Sequence, residues 1–85
     1  MENKFYKITC EEELNKVQNM LMSEGYVTPT GKQITMENFK NAFPRNKIYV
    51  IHAFFNTINK KYEYQGGTTQ ICKSHGYDKI NFENI

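Results

Sequence analysis

Eighty-five residues with a formal net charge of +2 leave room for one domain (1–85) with one sheet and two or three helices, and little for a deep catalytic pocket. A hydrophobic fraction of 39% and an aromatic fraction of 14% exclude a disordered chain. The longest apolar run, residues 48–55, is broken by His52 and is far too short for a bilayer. Met1 is followed by Glu2, Asn3 and Lys4 with no apolar stretch of signal-peptide length, so the expected location is the cytoplasm.

Residues 4–8 read as a first strand. Thr9 then has the character of a helix N-cap, with Glu12 three residues on completing a capping box, and Glu11, Glu12 and Glu13 sit where the helix dipole favours negative charge. Leu14, Val17 and Leu21 follow at i, i+3 and i+7 as a buried stripe, flanked by Met20. Gly25 supplies the left-handed residue that ends a helix, and Tyr26 packs back on Leu21, so the spacing predicts an amphipathic helix over 10–24.

Residues 26–28 begin a second strand, and Pro29-Thr30-Gly31 is a turn. Met36, Phe39 and Phe43 lie on one face of a short helix that Pro44 stops. Residues 47–56 make the strongest strand. Both alternating sets, Ile48/Val50/His52/Phe54 and Tyr49/Ile51/Ala53/Phe55, are largely apolar, which predicts a central strand covered on both faces. Asn59-Lys60-Lys61 reads as a hairpin turn, with Tyr62 and Tyr64 alternating along the returning strand. Gly66-Gly67 breaks the pattern, and Thr68 or Thr69 caps a short helix ending at Gly76. Residues 79–83 close the chain as a strand with Ile80 and Phe82 on one face. The expected fold class is α+β: a small antiparallel or mixed sheet with helix 10–24 on one face and one or two short helices.

Few residues suggest chemistry. Cys10 and Cys72 are too few for a disulfide scaffold and are expected as free thiols. Cys72 and His75 lie three apart, but zinc takes about four ligands, and only Cys10 and His52 remain to complete a soft set. Cys10 stands at a helix N-terminus, which lowers a thiol pKa, but three glutamates oppose that shift and no base is adjacent in sequence. There is no phosphate loop or dinucleotide fingerprint. The expectation is a non-enzyme with no catalytic residue, no metal and no cofactor. Gly66, Gly67, Thr68 and Thr69 before a helix offer backbone N–H groups to an anion, although a Gly pair more often serves only as a turn.

Charge is unevenly spread. Residues 1–31 hold three Lys against five Glu, and residues 62–85 hold two Lys against Glu63, Asp78 and Glu83. Residues 32–61 hold six cations, Lys32, Lys40, Arg45, Lys47, Lys60 and Lys61, against the single Glu37. A basic segment interleaved with aromatics suits nucleic acid, and an uneven surface equally suits a protein of complementary charge. Tyr49, Tyr62 and Tyr64, with Lys47, Lys60 and Lys61, are the candidate partner-binding residues, because Tyr joins contact area to a polar tip. The plain structural alternative is that these rings pack the sheet. Ten Lys against one Arg, with ten Asn and eight Ile, is the usage of a low-GC genome such as that of a Firmicute or its phages.

The layout resembles a class of small phage-encoded proteins. The shared pattern is an N-terminal strand, a helix of the form EEELNKVQNMLMSEGY, a turn, a hydrophobic hairpin and a C-terminal GYDKINFENI segment. Glu11–Tyr26, Ile48–Tyr64 and Gly76–Ile85 carry it here. The resemblance implies stoichiometric binding to a host protein, as in anti-CRISPR and other inhibitors of bacterial defence, and carries over no site residue. Two alternatives stand beside it. One is a nucleic-acid-binding module using the basic 32–61 segment. The other is a sponge that sequesters a nucleotide signal at Gly66–Thr69.

Overall fold

The computed structural model describes residues 3–85 and has the α+β class expected from the sequence. Strands β1 (Lys4–Ile8), β2 (Tyr49–Asn56) and β3 (Lys61–Gly67) form one antiparallel sheet in the order β1-β2-β3. Helices α1 (Glu11–Ser23), α2 (Met36–Ala42) and α3 (Thr69–Ser74) complete it. No helix among the described residues is long and apolar enough to cross a membrane.

Strand β2 is central, and its doubly apolar pattern has the expected cause. On one face Tyr49, Ile51 and Ala53 pack with Tyr6, Ile8 and Tyr64 of the outer strands under Leu14, Val17 and Leu21 of α1 and Phe39 of α2. On the other face Val50 packs with Phe5 and Cys72 of α3, with Tyr77 and Ile80 alongside. Register fixes these faces: Phe5 opposes His52 and Tyr6 opposes Ile51, while Ala53 opposes Tyr64. A one-residue slip would exchange the two sets.

The helix ends follow local chemistry. Gly25 (φ +92°) ends α1 in a Schellman motif, with Tyr26 N donating to Leu21 O at 2.9 Å and Gly25 N to Met22 O at 3.1 Å. Gly76 (φ +96°) ends α3 the same way, through Tyr77 N to Cys72 O at 3.2 Å and Gly76 N to Lys73 O at 3.0 Å. The start of α1 differs from expectation. Cys10 occupies the N-cap position without a side-chain cap bond, and Thr9 bonds Glu13 through both its amide and its hydroxyl, not Glu12. The helix begins one residue later than a Thr9 cap requires, which turns Glu13 toward Thr9. At α2 a full capping box does form: Thr35 Oγ1 accepts from Asn38 N at 3.0 Å, and Asn38 Oδ1 accepts from Thr35 N at 3.1 Å.

Three further expectations are corrected. Residues 26–28 and 79–83 are not strands. Each contributes one bridge to an outer edge of the sheet, Val27 to Glu63 on β3 and Phe82 to Phe5 on β1. Neither segment runs long enough beside the sheet to extend the ladder. The contacts still cover otherwise bare edges, which limits pairing with other chains. The hairpin loop is Thr57–Lys60, with Lys61 already paired to Asn56, and Lys60 takes the left-handed conformation (φ 56°).

Gly66-Gly67 does not break the sheet but ends β3, opposite Ile51 and Val50. A Cβ on Gly66 would sit 2.7 Å from Cε1 of Phe39, so the ring of α2 lies directly on a backbone that must lack a side chain. At Gly67 the nearest atom would be 3.7 Å away, an ordinary contact. Gly66→Ala should therefore lower stability by about 1–3 kcal/mol through overpacking, and Gly67→Ala by less than about 1 kcal/mol. Urea unfolding of the two variants checks this, and equal losses would refute the close approach.

The least expected core residue is Gln18, which is 2% exposed. Its Oε1 accepts from Ile34 N at 2.8 Å and from the Tyr64 hydroxyl at 2.7 Å, and its Nε2 donates to Ile34 O at 2.7 Å. One side chain so ties α1 to the loop before α2 and to β3. Gln18→Leu should cost about 2–5 kcal/mol, because it strands several buried polar groups. The pair Gln18→Leu/Tyr64→Phe should be more stable than Gln18→Leu alone, since one stranded hydroxyl is gone. A double variant no more stable than the single one would count against this network.

Candidate functional site

Two surfaces stand at opposite ends of β2. The first is the hairpin end. Asn56 Oδ1 accepts from Ile58 N at 2.9 Å and Asn59 N at 3.1 Å, which closes the loop locally. The Asn56 and Asn59 amides then donate to the two oxygens of Glu63 at 3.0 and 3.1 Å. These bonds hold the Glu63 carboxyl below the ordinary carboxylate range, with a smaller contribution from Lys61. The loop is thereby pinned on both sides while Ile58 at its tip is 90% exposed. Beside it Tyr62 stands edge-on to both Tyr26 and Phe55, with centroids 5.3 and 4.9 Å apart, and is 53% exposed. Val27, bridged to β3 and 44% exposed, lies beside this strand, and Lys60 and Lys61 are exposed nearby in sequence.

Of the candidate partner-binding rings only Tyr62 is available. Tyr49 is buried, stacks on Phe39 at 4.6 Å and donates its hydroxyl to Asn46 O at 2.8 Å. Tyr64 is buried against α1 with its hydroxyl on Gln18, and burial pushes that phenol up. Both rings belong to the face that α1 and α2 cover.

The second surface is a basic cleft of about 630 Å³ where β2 begins. Lys7 of β1, Arg45 and Lys47 of the loop after α2, and Lys73 of α3 line it, with Phe82 of the C-terminal segment, and no acidic residue is among its lining. The fold thus gathers Lys47 with two cations from the segments that looked acidic, Lys7 and Lys73. The register explains the gathering: Lys7 opposes Val50, which opposes Gly67, and α3 starts two residues later. Lys60 and Lys61 lie at the far end of β2, so the basic 32–61 segment forms no single surface.

The Gly66–Thr69 segment is not a free loop. Both glycines are paired within β3, and the Thr68 hydroxyl accepts from Ile71 N at 3.2 Å with the residue buried. Thr69 alone of the four faces the basic cleft. A further hollow of about 580 Å³ lies between the 28–35 loop and α2, over Ile34, Phe39, Phe43 and Gly66.

The thiols and imidazoles are arranged as follows. His52, Cys72 and His75 share a hollow of about 40 Å³, enough for little more than a water. Cys72 is buried, which pushes its thiol up, while Cys10 is exposed at the start of α1. Among the described residues no three or more His, Cys, Asp or Glu side chains are grouped to hold a metal. His52 stacks between Phe5 and Phe54 at 4.6 and 4.8 Å, meets the edge of Tyr77 at 4.9 Å, and has Nε2 2.9 Å from Asn3 Oδ1. Burial first, and the charge of His75 second, hold its pKa below the ordinary value.

Comparison with protein-family models finds none that matches, and comparison with curated proteins and with solved structures gives no match either.

The lowered pKa values of His52 and Glu63 act in the same direction. At both groups the folded state binds fewer protons than the unfolded chain, so the stability that these two groups contribute is complete above about pH 6.5. It is lost as pH falls, first through the window between the ordinary and lowered values of His52, then through that of Glu63. Unfolding midpoints at neutral, mildly acidic and strongly acidic pH check this. His52→Gln should remove the upper part of the decline and Glu63→Gln should reduce the lower part, to which Glu13, lowered by its bonds from Thr9, also contributes, whereas a flat profile in the parent protein would refute these assignments.

Proposed function

We propose that this protein is a non-catalytic binding protein that docks on another protein through its hairpin end, and that its target is a component of a bacterial defence system. The observation that carries the reading is the bare tip. Ile58 is 90% exposed on a loop whose geometry is already fixed by Asn56, Asn59 and Glu63, next to the half-exposed Tyr62. A rigid loop presenting an aliphatic and an aromatic side chain loses little conformational freedom on binding, which favours affinity. Tyr is also enriched among residues that dominate interfaces. Lys60 and Lys61 at the rim would favour a partner with acidic residues around an apolar pocket, by steering encounter. A host defence component as target follows from the resemblance of the helix, hairpin and C-terminal segments to small phage inhibitors.

The test begins with tagged protein used to capture partners from a low-GC bacterial lysate, followed by titration of the enriched protein in purified form. Ile58→Asp and Tyr62→Ala should each weaken that complex at least tenfold. Neither side chain is in the buried core, so the variants should keep the parent's circular dichroism. No enriched protein, or a purified complex unaffected by both substitutions, would overturn the proposal.

A further inference from the structure

We propose that the basic cleft at the start of β2 binds a single nucleic-acid strand, with Lys7, Arg45, Lys47 and Lys73 on its phosphates and Phe82 as a stacking ring. The site lies at the opposite end of β2 from the hairpin tip, so it stands or falls independently of the docking reading.

The first argument is electrostatic. Four of the eleven cations of a chain with net charge +2 line one cleft, and they come from three separated parts of the chain. No carboxylate lines the cleft with them. Like charges gathered without counter-charge repel one another and raise the energy of the folded state, and an anion in the cleft relieves that repulsion. The Glu13 carboxylate feels Lys7, but from the start of α1, outside the lining.

The second argument is chemical. Phosphate alone needs only the cations, yet the cleft also holds the exposed side chains of Phe82 (39%) and Ile48 (44%). A cationic groove with an aromatic ring is the combination that holds unpaired bases: the cations follow the backbone and the ring offers a face to a base of any identity. Asn46, Thr69 and Gln70 add neutral donors and acceptors for sugar or phosphate oxygens. A volume of about 630 Å³ falls within the range of ligand sites and accommodates a short stretch of strand. In a duplex the bases are already stacked on one another, which leaves Phe82 without a partner.

The third argument is positional. Lys7 is held by the β1–β2 ladder and Lys73 by α3, whose Cys72 is anchored in the core. Phe82 is fixed next to the bridge that Glu83 N makes to Phe5 O at 2.8 Å. The backbone positions of Lys7, Lys73 and Phe82 are therefore set before any ligand arrives.

The experiment is anisotropy of a fluorescent thymidylate strand of about twelve nucleotides, titrated with the whole protein. Neutralising four phosphates on a single strand gives a salt slope of about −3, so affinity should fall roughly 50-fold between 50 and 200 mM salt. Arg45→Ala/Lys47→Ala should halve that slope, while Lys32→Ala/Lys40→Ala, an equal loss of charge outside the cleft, should leave it unchanged. Phe82→Ala should weaken binding roughly 5- to 150-fold with the slope retained, the range expected for one lost base stack. The proposal is overturned if the strand does not bind at 50 mM salt, or if both double variants lose the same slope. It is equally overturned if a duplex of the same length binds as tightly, or if thymidine monophosphate or a polyglutamate peptide competes as well as unlabelled strand.

Discussion

The buried side chain of Gln18 is the interaction on which the arrangement of the elements depends. A primary amide placed in an apolar core is costly unless its donors and acceptor are used, and here both ends are. Its two bonds to the backbone of Ile34 hold the loop that leads into α2 much as a strand neighbour would. Its third partner is the Tyr64 hydroxyl, buried on the far side of the same core. Hydrophobic burial is non-directional and would tolerate α1 sliding over the sheet. Three short directional bonds do not, so Gln18 sets the register of helix on sheet. Once the Ile34 loop is placed, α2 follows, and Phe39 is brought down on the bare backbone of Gly66.

This frame determines which surfaces remain open. The helices α1 and α2 cover one face of β2 from Tyr49 to Ala53, and α3 with Tyr77 and Ile80 covers the other around Val50. Single bridges from Val27 and Phe82 occupy the outer edges. Besides the hollow between the 28–35 loop and α2, the two ends of β2 remain open. At one end the hairpin projects beyond the helical cover, so Tyr62 is open while Tyr64, two residues along on the same face, is buried. At the other end the chain enters β2 from the α2 loop and leaves β3 into α3, and loop, helix and C-terminal segment surround a cleft.

Most of the fold was legible in the sequence because it rests on local rules. The Gly-Tyr helix ends, the Leu14/Val17/Leu21 stripe and the doubly apolar central strand each state their geometry within a few residues. The two segments read as extra strands failed because a local apolar pattern does not show whether a segment runs beside the sheet far enough to pair. Gln18 was missed although it lies at i+4 from Leu14 and i−3 from Leu21, on the buried stripe, where a polar residue signals a core hydrogen bond. The site was far less legible. Tyr49, Tyr62 and Tyr64 look alike in sequence, and only the extent of helical cover separates them. The basic cleft was hidden for a different reason. Charge counted along the chain assigned Lys7 and Lys73 to acidic segments, whereas sheet register brings them beside Arg45 and Lys47.

The separation of the two open ends bears on how they would work together. An eight-residue strand spans roughly 23 Å, so a protein docked at the hairpin tip and a strand held at the cleft would not collide. Both surfaces are fixed to the same β2, whose two faces are packed and whose register is set on both sides, so the distance between them is nearly invariant. A rigid spacer of matched length makes the second contact intramolecular once the first is made, and two modest affinities then combine into a strong one. If both proposed sites act, the same rigidity would make the combination selective, since a target would need an apolar pocket and an exposed strand at that one separation.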